Sequence, residues 1–167
     1  MAGGPGHFGS GRGVGLSHLT KEGLPLGKVF AKSDIDNGYI WTVTASHELL
    51  EMLGDPDIKL TAFVQKTNDS GRLYAYEVCD ACEADKFGYK IGGTLVSDFV
   101  YPAWFESFRK KGSTQFDYGK RIKAPFQLLS GGYIGVFDVG SGRGLDPDHG
   151  REQPACVRGA AESGQPA

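Results

Sequence analysis

Residues 42–57, TVTASHELLEMLGDPD, constrain this chain more than any other stretch. Thr42 and Thr44 offer N-cap hydroxyls, and Gly54 followed by Asp55-Pro56 supplies a stop, so the spacing predicts one helix between them. Val43, Leu49, Leu50, Met52 and Leu53 are its expected core-facing residues. His47 and Glu51 stand four positions apart, which places both side chains on one face, able to converge on one ion. Glu48 lies about 100° further round the helix, beside that ion's position, where it can take a proton from water without being a ligand.

The remainder of the 167 residues limits what such a helix serves. One domain is expected, large enough to bury a core, and 40% hydrophobic with 23% charged residues places it in the soluble globular class. A formal charge of −2, with no Lys/Arg cluster interleaved with aromatics, argues against nucleic acid as a partner. No apolar run approaches a membrane span, and the start MAGGPGHFGSGRGVG has no apolar signal core, so either a cytoplasmic location or a fragment whose true start lies elsewhere is expected. Of the 26 glycines, seven fall in the first 15 residues. Such a composition does not bury enough apolar surface to offset chain entropy, so residues 1–20 and 140–167 are expected to be disordered, with the domain at 21–139.

Within that domain, residues 24–31 (LPLGKVFA) read as a strand, 34–38 (DIDNG) as a turn, and 39–41 as the lead into the helix. Two β-rich runs, 60–65 and 72–78, flank Asn68-Asp69-Ser70-Gly71 and predict a hairpin. Residues 95–100 and 133–139 read as further strands, and the aromatic run 104–108 as core packing. One helix amid several short strands defines an α+β fold.

The hairpin delivers a second acidic group, Glu77, Asp80, Glu83 and Asp85, directly after its second strand. If it folds back along the helix, Glu77 or Asp80 completes the ligand set or orients His47 from behind. A set so rich in carboxylates also suits calcium. Cys79 and Cys82 have no second cysteine pair near them, and their acidic neighbours raise thiol pKa, so they read as reduced, partly buried thiols. His7, His18 and His149 fit no ligand spacing.

The run HELLEMLGDPD resembles the extended motif of the metzincins, HExxHxxGxxH or its Asp-ended variant, with Glu51 where the second His stands and Asp57 at the third-ligand position. The chain lacks the methionine of the metzincin turn, its only methionines being Met1 and Met52. Together with LYAYEVCDACEADKFGY and VSDFVYPAWFESF, the helix is more similar to an uncharacterised bacterial and phage-associated zincin-like family, which pairs HELxExxxDP with a downstream E-x-x-D-x-C, here Glu77, Asp80 and Cys82. The resemblance spans about residues 21–139. It implies a zincin-like fold and a metallopeptidase site. His47 and Glu51 then hold zinc with a third carboxylate from Asp55, Asp57 or Glu77, and the recurring Asp-Pro favours Asp55 over Asp57. Glu48 is the general base, Tyr76 or Tyr101 steadies the oxyanion, and the edge strand Gly27, Lys28 and Val29 pairs with an extended peptide. The alternative is a non-catalytic module that keeps zinc or calcium and binds a protein partner.

Overall fold

Burial places the centre of the molecule beside the helix rather than on it. The computed structural model describes residues 15–68 and 70–141, with the backbone of 143–144 and 155–158. Among these residues the fold is mixed helix and sheet, with two helices and several small antiparallel sheets. The helices are α1 (Ala31–Asp36) and α2 (Trp41–Gly54). A first hairpin joins β1 (Gly15–Leu19) to β2 (Pro25–Val29), and a second, small one joins β5 (Tyr89–Ile91) to β6 (Thr94–Val96). The main sheet runs β3 (Thr61–Thr67), β4 (Ser70–Ala75), β7 (Tyr133–Asp138), with β8 (Arg143–Gly144) and β9 (Ala155–Arg158) both pairing with β7.

The core gathers behind β7, where Ile134 and Val136 meet Val100, Trp104, Phe105, Phe116 and Ile122. Trp104 is fully buried and its indole N–H donates to the Gln127 carbonyl at 2.9 Å, so its one polar atom is satisfied. Tyr76 stacks on Phe105 at 4.0 Å between centroids. Two buried aspartates shape the adjoining loop: Asp117 accepts the amides of Arg121 and Ile122, and Asp98 accepts those of Phe99 and Gly119. Each carboxylate thereby pairs backbone donors that the loop would otherwise leave buried and unmet.

Several sequence expectations change here. Thr42 and Thr44 do not cap α2; the helix begins at Trp41, and the Thr42 hydroxyl instead donates to the Leu95 carbonyl at 2.7 Å. Only Val43 and Glu48 of α2 are buried, while Leu49 and Leu53, expected in the core, are 54% and 71% exposed. Phe108 is likewise 76% exposed, although Trp104 and Phe105 pack as expected. Residues 34–38, read as a turn, include the end of α1. The strand expected over 95–100 is confined to β6, followed by one bridge between Val100 and Asp117.

The segments expected to be disordered also contain structure. Residues 15–19 form β1, paired with β2 from Gly15↔Val29 to Leu19↔Pro25. Backbone at 143–144 and 155–158 extends the main sheet. Glycine content measures the entropy cost of ordering a segment, but not the ladder that a partner strand offers against it. Residues 1–14, 69, 142, 145–154 and 159–167 lie outside the described residues, and with them Asp69 of the expected hairpin turn, His7 and His149.

Candidate metal centre

Three segments converge on the inner face of α2. The helix is fixed in its first half by Ser46, whose hydroxyl accepts the Ser97 amide at 2.8 Å, and at its C-terminal end by Gly54, which lies against Val78 so closely that a Cβ there would sit 3.1 Å from Cγ1. Immediately after Val78 the chain turns through Cys79 into a short 3₁₀ turn, Asp80–Cys82. Gly132 clamps this turn from behind: a Cβ there would meet the Ala81 carbonyl oxygen at 2.4 Å. The Leu129 amide donates to the same carbonyl at 2.9 Å. The first hairpin covers the other side, and Gly27 approaches Met52 Sδ to within 2.9 Å of where its Cβ would be.

The donors brought together are His47, Glu51 and Cys79, whose ligand atoms all lie within 4.8 Å of one another and which could hold a metal ion. His47 Nε2 is 2.9 Å from Glu51 Oε1 and 3.3 Å from Asp80 Oδ1. The Glu51 Oε1 that faces His47 is buried.

The electrostatics follow from crowding carboxylates in a partly dry site. Burial raises Glu51 well above the carboxylate range, with the Asp80 charge reinforcing the effect and His47 opposing it. Burial alone would lower the His47 pKa, yet the charges of Glu51 and Asp80 outweigh it and hold the imidazole well above its usual value. Glu77 is pushed up to about 7, first by burial and then by Asp80, Asp55 and Glu48. Burial pushes the Cys79 thiol far up, and the Glu51 charge adds to it. Glu48 is raised by burial, against a 2.6 Å hydrogen bond donated by the Ser17 hydroxyl.

The other sequence-derived residues take distinct places. Asp55 is buried at the end of α2, where Oδ2 accepts the Leu60 amide at 2.7 Å while Oδ1 has no partner. Asp57 is exposed in the following turn, outside the three-donor group. Glu77 neighbours Asp80, Asp55 and Glu48 electrostatically but is not one of the three converging donors. Asp80 faces His47, as the fold-back of the hairpin implied. Tyr76 is committed to stacking on Phe105. Gly27, Lys28 and Val29 lie on β2 beside α2.

Sequence reasoning missed three residues. Cys79 is a buried, free thiol as expected, but its sulfur also joins His47 and Glu51 in the group that could hold a metal ion. Ser17 reaches Glu48 from across 31 positions of chain. Tyr133, at the head of β7 on the face opposite Ile134 and Val136, hydrogen-bonds Asp80, and burial with the Asp80 and Glu51 charges drives its hydroxyl far above the usual tyrosine range. Alternation along β7 carries the only signal for Tyr133, since it sets this residue apart from the core face.

No family model matches the chain, and no curated protein or solved structure is significantly similar to it. No described helix is long and apolar enough to cross a membrane.

Proposed function

We propose that the chain is a zinc-dependent, peptidase-like hydrolase with a zincin-like arrangement, in which His47, Glu51 and Cys79 hold the metal. The observation that carries this reading is the convergence of His47, Glu51 and Cys79, whose ligand atoms all lie within 4.8 Å of one another in a largely buried site. A thiol and an imidazole in the donor set favour zinc over calcium, which takes oxygen ligands. When bound, zinc acts as a Lewis acid that polarises a substrate carbonyl and makes water more acidic.

The chain's own residues supply the rest. Asp80 braces His47 and is itself held by the Tyr133 hydroxyl, so the imidazole keeps one orientation. Glu48, 8% exposed and next to His47 on the helix, accepts the proton from water and returns it to the leaving amine. The hairpin β1–β2 beside α2 has no further strand on its edges among the described residues, so main-chain pairing with an extended peptide is open to it.

The test is zinc content and peptide cleavage of the purified chain beside Glu48→Gln. Zinc retained with cleavage lost in the variant supports the hydrolase. A second reading, a metal-holding interaction module, is favoured by the exposed Trp41, Leu49 and Leu53 on α2. Zinc binding without cleavage in the unmodified chain selects it.

A further inference from the structure

The first hairpin does more than border the helix, because it touches the side chain on which the proposed reaction depends. Ser17 on β1 and Gly27 on β2 are a directly opposed pair in the ladder. The Ser17 hydroxyl donates to Glu48 Oε2 at 2.6 Å. A Cβ on Gly27 would lie 3.6 Å from Glu48 Cβ, 2.9 Å from Met52 Sδ and 3.9 Å from Ser17 Oγ, so the pair encloses the base of the Glu48 side chain as well as its tip. Glu48 is one of only two buried residues of α2, and a carboxylate held there without a donor would be costly.

We infer that Ser17 is a positioning residue for Glu48, an assignment that rests on the hydrolase reading above. By taking Oε2, the hydroxyl fixes the rotation of the carboxylate, and Oε1 is the oxygen left to accept a proton. Ser17 bonds Glu48 and is not one of the three converging donors, so its effect falls on proton transfer and not on the metal. The bare Gly27 leaves room for the Met52 thioether, which a side chain there would have to displace beside Glu48 and Ser17.

The experiment compares the full chain with Ser17→Ala and Ser17→Thr. In Ser17→Ala, kcat is expected to fall about tenfold with KM and zinc affinity unchanged, and Ser17→Thr, which keeps the hydroxyl, restores most of it. A second readout needs no turnover: the carboxyl 13C resonance of Glu48 in the metal-free protein, assigned by its loss in Glu48→Gln. It moves in Ser17→Ala and returns toward its original position in Ser17→Thr. An unmoved resonance, or a kcat loss that Ser17→Thr does not rescue, overturns the assignment. Absence of cleavage by the unmodified chain removes the hydrolase reading, and the resonance alone then decides whether Ser17 holds Glu48.

Discussion

His47 and Glu51 stand one helical turn apart with Nε2 and Oε1 separated by 2.9 Å, and Cys79 brings its sulfur to within 4.8 Å of both side chains' ligand atoms. A cation held by this group would offset the negative charge brought by Asp80 and Glu77. Removing either donor should therefore weaken metal binding more than any change at Asp57, which is exposed. We expect His47→Ala or Glu51→Ala to lower zinc affinity by about 100-fold or more, with Asp57→Ala within about threefold of the unmodified chain. Isothermal titration measures all three.

Stability should respond to zinc in proportion. At zinc 100 times its Kd, the folded chain gains about 2.7 kcal/mol. Thermal unfolding with and without chelator reads this directly. A Tm identical in both would mean that the fold gains nothing from the ion.

The metal-free protein should weaken as pH rises through neutrality. Glu77 titrates near 7 in the fold against an ordinary 4.5, so between those values the folded chain keeps a proton that the unfolded chain has lost. Its contribution is full below about 4.5 and is lost as pH rises through about 7. His47, also raised, acts in the same sense, with its contribution full below about 6.5 and lost at higher pH. We expect the urea midpoint in chelator to fall between about pH 5 and pH 8, and Glu77→Gln to flatten that fall. Zinc must displace these protons, so its affinity is expected to rise over the same range.

Cys79 distinguishes this donor set from an all-carboxylate one. Cobalt bound beside a thiolate gives a sulfur-to-metal charge-transfer band, which should be present in the unmodified chain and absent in Cys79→Ser. The same variant should shift the site's preference away from thiophilic ions such as cadmium. A spectrum without that band in the unmodified chain would leave Cys79 outside the ligand set.

Gly132 tests whether the Asp80 turn positions the site. An added methyl would collide with the Ala81 carbonyl and approach the Asp80 carbonyl, both backbone atoms with little freedom to yield. Gly132→Ala should destabilise the chain by about 1–3 kcal/mol and reduce zinc affinity as Asp80 and Cys79 move. Urea unfolding and zinc titration of one preparation report both effects.

Much of the site's first layer was legible in the sequence because helical spacing alone places His47 and Glu51 together, and Gly54 with Asp55-Pro56 marks where the helix ends. The hairpin of β3 and β4 and the strand β7 followed equally from local composition. What the chain concealed was long-range. Periodicity names the faces of α2 but not which one is covered, so Leu49 and Leu53 read as core although they face solvent. A glycine-rich start hid β1, whose existence depends on pairing with β2 and whose Ser17 meets Glu48. The Cys-x-x-Cys spacing says nothing of where a lone sulfur points, and only the turn fixed by Gly132 sets Cys79 beside the imidazole.

The most direct test is the zinc content of the full chain after gel filtration in buffer free of added metal, following saturation, beside His47→Ala and Glu51→Ala. One zinc per chain in the unmodified protein, and none in either variant that still folds, is the result this site requires. No zinc in the unmodified chain, or equal zinc in all three, would contradict it.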